Sequence, residues 1–212
     1  MISSAQLGQS LHLAAIVVPV ALYFLILGLL NSRRHPQLLT GRRDFALLFG
    51  ALSPLFVVPA VSYMGASPLG TLIVIAAIAA GVALVLPRRH AWVIYNLPAD
   101  RAVETIEAAL GEANLYPVAT QRGFKLQENN AFLEIAAFPL LNNVSLRLRD
   151  GDVSLARQVE ASLASQLART TTDTSPMAMS LLLVATVMLV APLAMVAPRV
   201  PEIVRLLTGL LD

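Results

Sequence analysis

The side chains best suited to chemistry in this chain are two carboxylate pairs, Glu104/Glu107 and Asp150/Asp152, and three histidines, His12, His35 and His90. Paired carboxylates can divide acid and base work between them. Glu104 and Glu107, however, fall on the solvent side of an amphipathic helical pattern, and Asp150 and Asp152 flank a turn glycine, Gly151. Both pairs read as structural. A metal ion needs ligands gathered from His, Cys, Asp or Glu, and here the histidines stand apart. His35 and His90 each follow an arginine pair, which fits a solvated interface better than a ligand set. Cysteine is absent, which removes thiolate metal sites, catalytic thiols and disulfides. No phosphate loop, nucleophile elbow or H-E-x-x-H pattern occurs. Asn143-Val144-Ser145 matches a glycosylation sequon but lies in a strand pattern. The residues imply no catalytic set, no metal and no cofactor.

The arginines carry more information. Arg33, Arg34, Arg42 and Arg43 lie between two apolar runs, and Arg88 and Arg89 follow a third. With 57% hydrophobic residues, 13% charged and a mean hydropathy of +0.71, the chain departs from soluble domains, where about a quarter of residues are charged. A bilayer core of about 30 Å takes roughly 20 apolar residues in a helix. By that measure four segments are expected to span: residues 11–30, 45–63, 68–86 and 176–197. Short connections rich in arginine stay on the cytoplasmic side, whereas the N-terminal tail and the Met64–Ser67 turn hold no Lys or Arg. The expected placement is a multi-pass inner-membrane protein with both termini outside and residues 88–175 cytosolic. The uncharged first ten residues and the long run after them argue for a retained first helix rather than a signal peptide. The tail carries Ile203, Leu206, Leu207, Leu210 and Leu211 on one helical stripe, which suits a helix in the outer interface or one packed on the spans.

Residues 88–175 change period and composition together. "HAWVIYNL" reads as a strand, and 98–114 as a helix with Val103, Ile106, Leu110 and Ala113 on its apolar face. "YPVATQRGFKLQ" and "AFLEIAAF" read as the next two strands. In "NNVSLRLRD", Val144, Leu146 and Leu148 alternate with Ser145, Arg147 and Arg149, the mark of a half-buried strand. A second helix over 153–169 presents Val159, Leu163 and Leu167. The order β-α-β-β-β-α predicts a small sheet with two helices on one face. Double-stranded RNA-binding domains share part of that order, but phosphate binding rests on Lys and Arg. Acidic residues outnumber basic ones between His90 and Ser175, so nucleic acid is excluded as a partner. The pI of about 9.4 comes from arginines next to the apolar runs, where they can meet anionic lipid headgroups.

Two surfaces remain for function. The outer sheet face would present Phe132 and Phe138 beside Arg147 and Arg149, an aromatic and arginine mixture common in binding surfaces. In the second apolar run, Pro54 and Pro59 free backbone carbonyls near Ser62 and Tyr63, the one place where broken helices could line a membrane cavity. No Asp, Glu, Lys or Arg lies inside any of the four runs, and transport paths usually carry such groups. Small residues at Ala76/Ala80 and Ala77/Gly81 would let helices approach closely and admit a homo-oligomer.

The combined expectation is an α-helical integral membrane protein with four transmembrane helices plus a small α+β cytosolic domain. Its parts would be a three-helix membrane region (1–87), the α+β domain (88–175), and a fourth helix with an amphipathic tail (176–212). The expected function is that of a non-enzymatic accessory, scaffold or assembly subunit that binds the bilayer and a membrane or cytosolic protein. A small transporter or channel subunit with a path near Pro54–Tyr63 is the alternative.

Overall fold

The computed structural model describes residues 4–64, 67–86, 90–127, 130–197, 200–201 and 208. In chain order the elements are α1 (Ser4–Asn31), β1 (Gln37–Thr40), α2 (Gly41–Met64), α3 (Pro68–Val85), β2 (Ala91–Tyr95), α4 (Ala99–Glu112), β3 (Pro117–Thr120), β4 (Gly123–Leu126), β5 (Phe132–Phe138), β6 (Asn143–Arg149), α5 (Val153–Arg169) and α6 (Pro176–Val196). They divide into two compact units. One comprises residues 26–46 and 86–181, and the other residues 1–25, 47–85 and 182–212.

The first unit is built on a six-stranded antiparallel sheet of order β1-β2-β6-β5-β4-β3. Alternation sets its two faces. Trp92 and Ile94 of β2, Phe124 and Leu126 of β4, Leu133 of β5 and Val144, Leu146 and Leu148 of β6 join one core with α4 and α5. Helix α5 contributes Leu155, Ala156, Val159, Leu163 and Leu167, all buried, so the expected apolar stripe of this helix is present. Asp152 caps it by accepting the Leu155 N–H at 2.8 Å, which occupies one of the donors left over in a first helical turn. Two donors, the Leu155 N–H first and then the Ser154 hydroxyl, hold the Asp152 carboxyl below its ordinary value.

Helix α4 is rotated from its expected face. Ala102, Thr105, Ile106, Ala109 and Leu110 are buried, while Val103 is 50% exposed. The helix ends in a Schellman arrangement. Leu115 N–H reaches Leu110 O at 3.0 Å and Asn114 N–H reaches Gly111 O at 2.9 Å, with Asn114 at φ 57 taking the left-handed position that usually falls to glycine.

Two strands go beyond the expected count. "QLLT" in the arginine-rich connection forms β1 and pairs with β2, Leu38 opposite Ile94 and Thr40 opposite Trp92. "PVATQRGFKL" is a hairpin rather than one strand, turning at Gln121 and Arg122. Gly123 permits it: its φ of +140° suits glycine, and a Cβ there would stand 2.0 Å from the Leu133 carbonyl oxygen.

The second unit consists of apolar helical segments. Large side chains such as Phe56 and Leu69 are each 70% exposed there, an arrangement costly in water but neutral in hydrocarbon. The helices differ from the expected four-span architecture. Among the described residues only two helical stretches are long and apolar enough to cross a bilayer, His12–Asn31 and Gly41–Ala60. The apolar stretches Pro68–Ala83 of α3 and Pro176–Pro192 of α6 are shorter; at 1.5 Å per residue these parts of the two helices cover roughly 24–26 Å, against a core of about 30 Å. Among the described residues the expected four spans therefore reduce to two candidates. The expected outside C-terminus rested on the fourth span and loses its basis. The two long helices point to membrane association. The tail stripe from Ile203 to Leu211 lies outside the described residues.

Candidate functional site

The sheet has one closed face and one open face. With α4 and α5 both on the first, the second presents Phe132, Glu134, Ala136 and Phe138 of β5 beside Ser145, Arg147 and Arg149 of β6. The register brings the four residues expected to form a partner surface onto this face: Phe132 stands opposite Arg149, Glu134 opposite Arg147 and Phe138 opposite Asn143. Phe138 is 54% exposed and Phe132 half-buried. Glu134 forms its ion pair with the diagonal neighbour Arg149 at 2.9 Å, not with Arg147 across the ladder. Arg147 instead lines a shallow groove of about 280 Å³ with Ala91, Val93, Ser145 and the α2 residues Gly41 and Asp44. Asp44 accepts a hydrogen bond from the Tyr95 hydroxyl, tying the first turn of α2 to β2. The arrangement offers an apolar floor with guanidinium groups at its margin, suited to binding rather than to bond making. Just beyond it, in the turn 139–141, Leu140 is 80% exposed.

The membrane-orienting arginines fall into different surroundings. Arg33 and Arg34 keep exposed side chains while their backbone carbonyls bond inward. Asn96, buried and at φ 58, donates its side-chain amide to Arg33 O at 2.8 Å and to Thr172 Oγ1 at 2.9 Å, and its backbone N–H goes to Asn31 Oδ1 at 3.2 Å. Thr172 N–H in turn reaches Arg34 O at 2.8 Å. Asn31, also buried, returns its amide to Leu27 O at 2.9 Å. Farther along, His35 Nδ1 donates to Thr170 O at 3.0 Å. This cluster joins the end of α1, the end of β2 and the segment before α6. Its donors are consumed internally, which makes it a structural clasp, while Asn96 Oδ1 is buried without a hydrogen-bond partner among the described residues. Nothing in the residue types alone marked it; the one signal was an asparagine in "YNLP", a turn pattern directly after a strand.

Arg42 and Arg43 are exposed in the first turn of α2, and Arg88 and Arg89 lie outside the described residues. In α2, Pro54 and Pro59 are both inside the helix. The Gly50 carbonyl that Pro54 cannot bond receives the Ser53 hydroxyl at 3.3 Å, the usual repair for a proline in an apolar helix. Ser62 and Tyr63 are helical, but their side chains lie outside the described residues. Among the described residues no group of three or more His, Asp or Glu is placed to hold a metal ion.

No family model, no curated protein and no solved structure matches this chain. Function therefore has to be argued from these surfaces themselves.

Proposed function

We propose that this chain is a membrane-associated accessory or scaffold protein whose sheet unit docks a protein partner on its open face. The observation that carries the reading is the asymmetry of the sheet: α4 and α5 cover one face, leaving Phe132, Phe138, Arg147 and Arg149 on the other. Aromatic and arginine side chains dominate the energetics of protein interfaces. Membrane association through α1 and α2 fits the two long apolar stretches. The arginine-bearing connection between them would lie on the cytosolic side of a cytoplasmic membrane, and the sheet unit with it, since β1 is part of that connection.

Two experiments test the two halves. In alkaline carbonate washes of native membranes the chain should stay in the pellet; release into the supernatant would remove the membrane half. For docking, a photo-crosslinking side chain at position 138 or 147 should give one discrete adduct, and the same group at Val103 on the α4 side should give none. Equal labelling at the three positions would contradict the docking half.

A further inference from the structure

Away from the open face, a cleft of about 380 Å³ opens where β1 and β2 meet α5. Thr40, Arg42, His90, Trp92, Arg157 and Glu160 line it. Three features of the chain converge to build it. Thr40 is locked opposite Trp92 in the ladder, which brings Arg42, two residues on, to the start of β2. His90 immediately precedes β2 at φ 67, and its carbonyl takes the Leu148 N–H at 2.9 Å, so this corner is anchored to β6. Helix α5 presents Val153, Ala156, Arg157 and Glu160 to the cleft, the i, i+3, i+4, i+7 spacing of a single helical face.

The charge balance inside the cleft is positive. Two guanidinium groups and an imidazole face one carboxylate, and neither Arg42 nor Arg157 forms a salt bridge among the described residues, where the two bridges are Arg149–Glu134 and Arg169–Glu112. Arginine presents a planar fork of donors that matches phosphate oxygens in pairs. The Thr40 hydroxyl and the His90 ring add donors of the same kind. The first turn of α2, a 24-residue helix opening at Gly41, adds the positive end of its dipole. The indole of Trp92 supplies an apolar wall, and the volume lies within the range of small-ligand sites, about 300–1,000 Å³. Since the apolar stretch of α2 starts at Gly41, Arg42 stands where a crossing helix would meet headgroups.

We infer that this cleft binds a phosphate-bearing anion, gripped by Arg42 and Arg157 with His90 and Thr40 as supporting donors. The site is independent of protein docking on the open face. Its ligand can come from a phospholipid headgroup or from a soluble phosphate compound, which share the chemistry recognised here.

The chain carries its own probe, because Trp92 is the one tryptophan in the sequence. The full chain in zwitterionic nanodiscs would be titrated with inorganic phosphate, and in parallel reconstituted into discs doped with increasing phosphatidic acid, following Trp92 emission. The expected result is a saturable change with at least one of the two probes. The double variant Arg42→Gln/Arg157→Gln should weaken it about tenfold or more, the loss expected for removing hydrogen bonds to a charged group. Glu160→Gln should tighten it by about twofold to fivefold, as removal of a nearby like charge does, and a merely structural role for these residues would produce no such gain. Arg101→Gln/Arg122→Gln, an equal loss of two positive charges on exposed surface outside the cleft, should leave it unchanged. A response to the lipid alone assigns the headgroup, and a response to inorganic phosphate alone assigns a soluble ligand. No saturable change with either probe overturns the inference. So does a change reproduced by sodium chloride at matched ionic strength, or one undiminished in the double variant.

Discussion

The two faces of the six-stranded sheet are made from the same strands and meet opposite fates. On one, Phe124, Leu133, Val144 and Leu146 disappear under α4 and α5. On the other, one residue along each strand, Phe132, Phe138, Arg147 and Arg149 keep contact with the surroundings. Strand alternation alone would give an apolar side and a polar side. The open face is neither, since it mixes aromatic rings with Arg149, paired to Glu134, and Arg147, which has no ion pair among the described residues. The difference teaches where stability resides and where spare binding capacity resides: groups whose needs are met inside the chain hold the fold, and groups left over are available to something else. The same division separates the Asn96 clasp, with its donors spent on Arg33, Thr172 and Asn31, from the cleft at Arg42 and Arg157.

The largest effect should come from the closed face. Phe124→Ala, at a side chain 1% exposed, is expected to cost about 3–5 kcal/mol of stability; denaturant unfolding followed by circular dichroism measures it, and a cost near zero would mean that this face is not the core. Next comes the clasp. Asn96→Ala removes donors to two carbonyl or hydroxyl oxygens and a favourable left-handed residue, and should cost about 2–4 kcal/mol in the same assay. On the open face the balance reverses. Arg149→Ala breaks a surface pair with Glu134 whose Arg149 side chain is 51% exposed, and should change stability by about 1 kcal/mol or less. The smallest effect is a pH dependence at the α5 cap. Asp152 has a lowered pKa in the folded chain, so its contribution is complete above the ordinary value of 3.8 and lost as pH falls through the lower folded value. Asp152→Asn should flatten the acid limb of the stability profile by slightly lowering stability at neutral pH, with the two chains alike below the folded value.

Much of the closed face is legible in the sequence, because periodicity reports burial directly. Val144, Leu146 and Leu148 announced β6, and Val159, Leu163 and Leu167 announced the inner stripe of α5. Strand β1 was not legible: four residues between Pro36 and Gly41 are too few to display a period, and their pairing with β2 depends on residues more than 50 positions away. The β3–β4 hairpin was hidden by a continuous β-like composition, although Gly123 inside it was the available signal. Apolar runs in the sequence overstate the number of spans because crossing depends on the length of apolar helix, and α3 and α6 provide less of it over the described residues. The cleft was illegible for a topological reason. Arg42, His90 and Arg157 are far apart in sequence and meet only because β1 closes on β2 and α5 lies across their ends. The open-face residues were easier, since all four come from two neighbouring strands of clear alternation.

The most direct test of the account is the mass of the intact assembly released from native membranes by gentle detergent, compared between the wild-type chain and Phe132→Ser/Phe138→Ser/Arg147→Glu. All three positions lie on the open face, but Phe132 and Arg147 are half-buried there, so a stability cost of about 1–3 kcal/mol is expected beside the loss of binding. The account predicts a distinct protein bound in fixed stoichiometry to the wild-type chain and missing from the variant, with the variant still folded. A partner retained undiminished by the variant, or a wild-type chain that emerges with no second protein, would contradict the assignment of the open face as a docking surface.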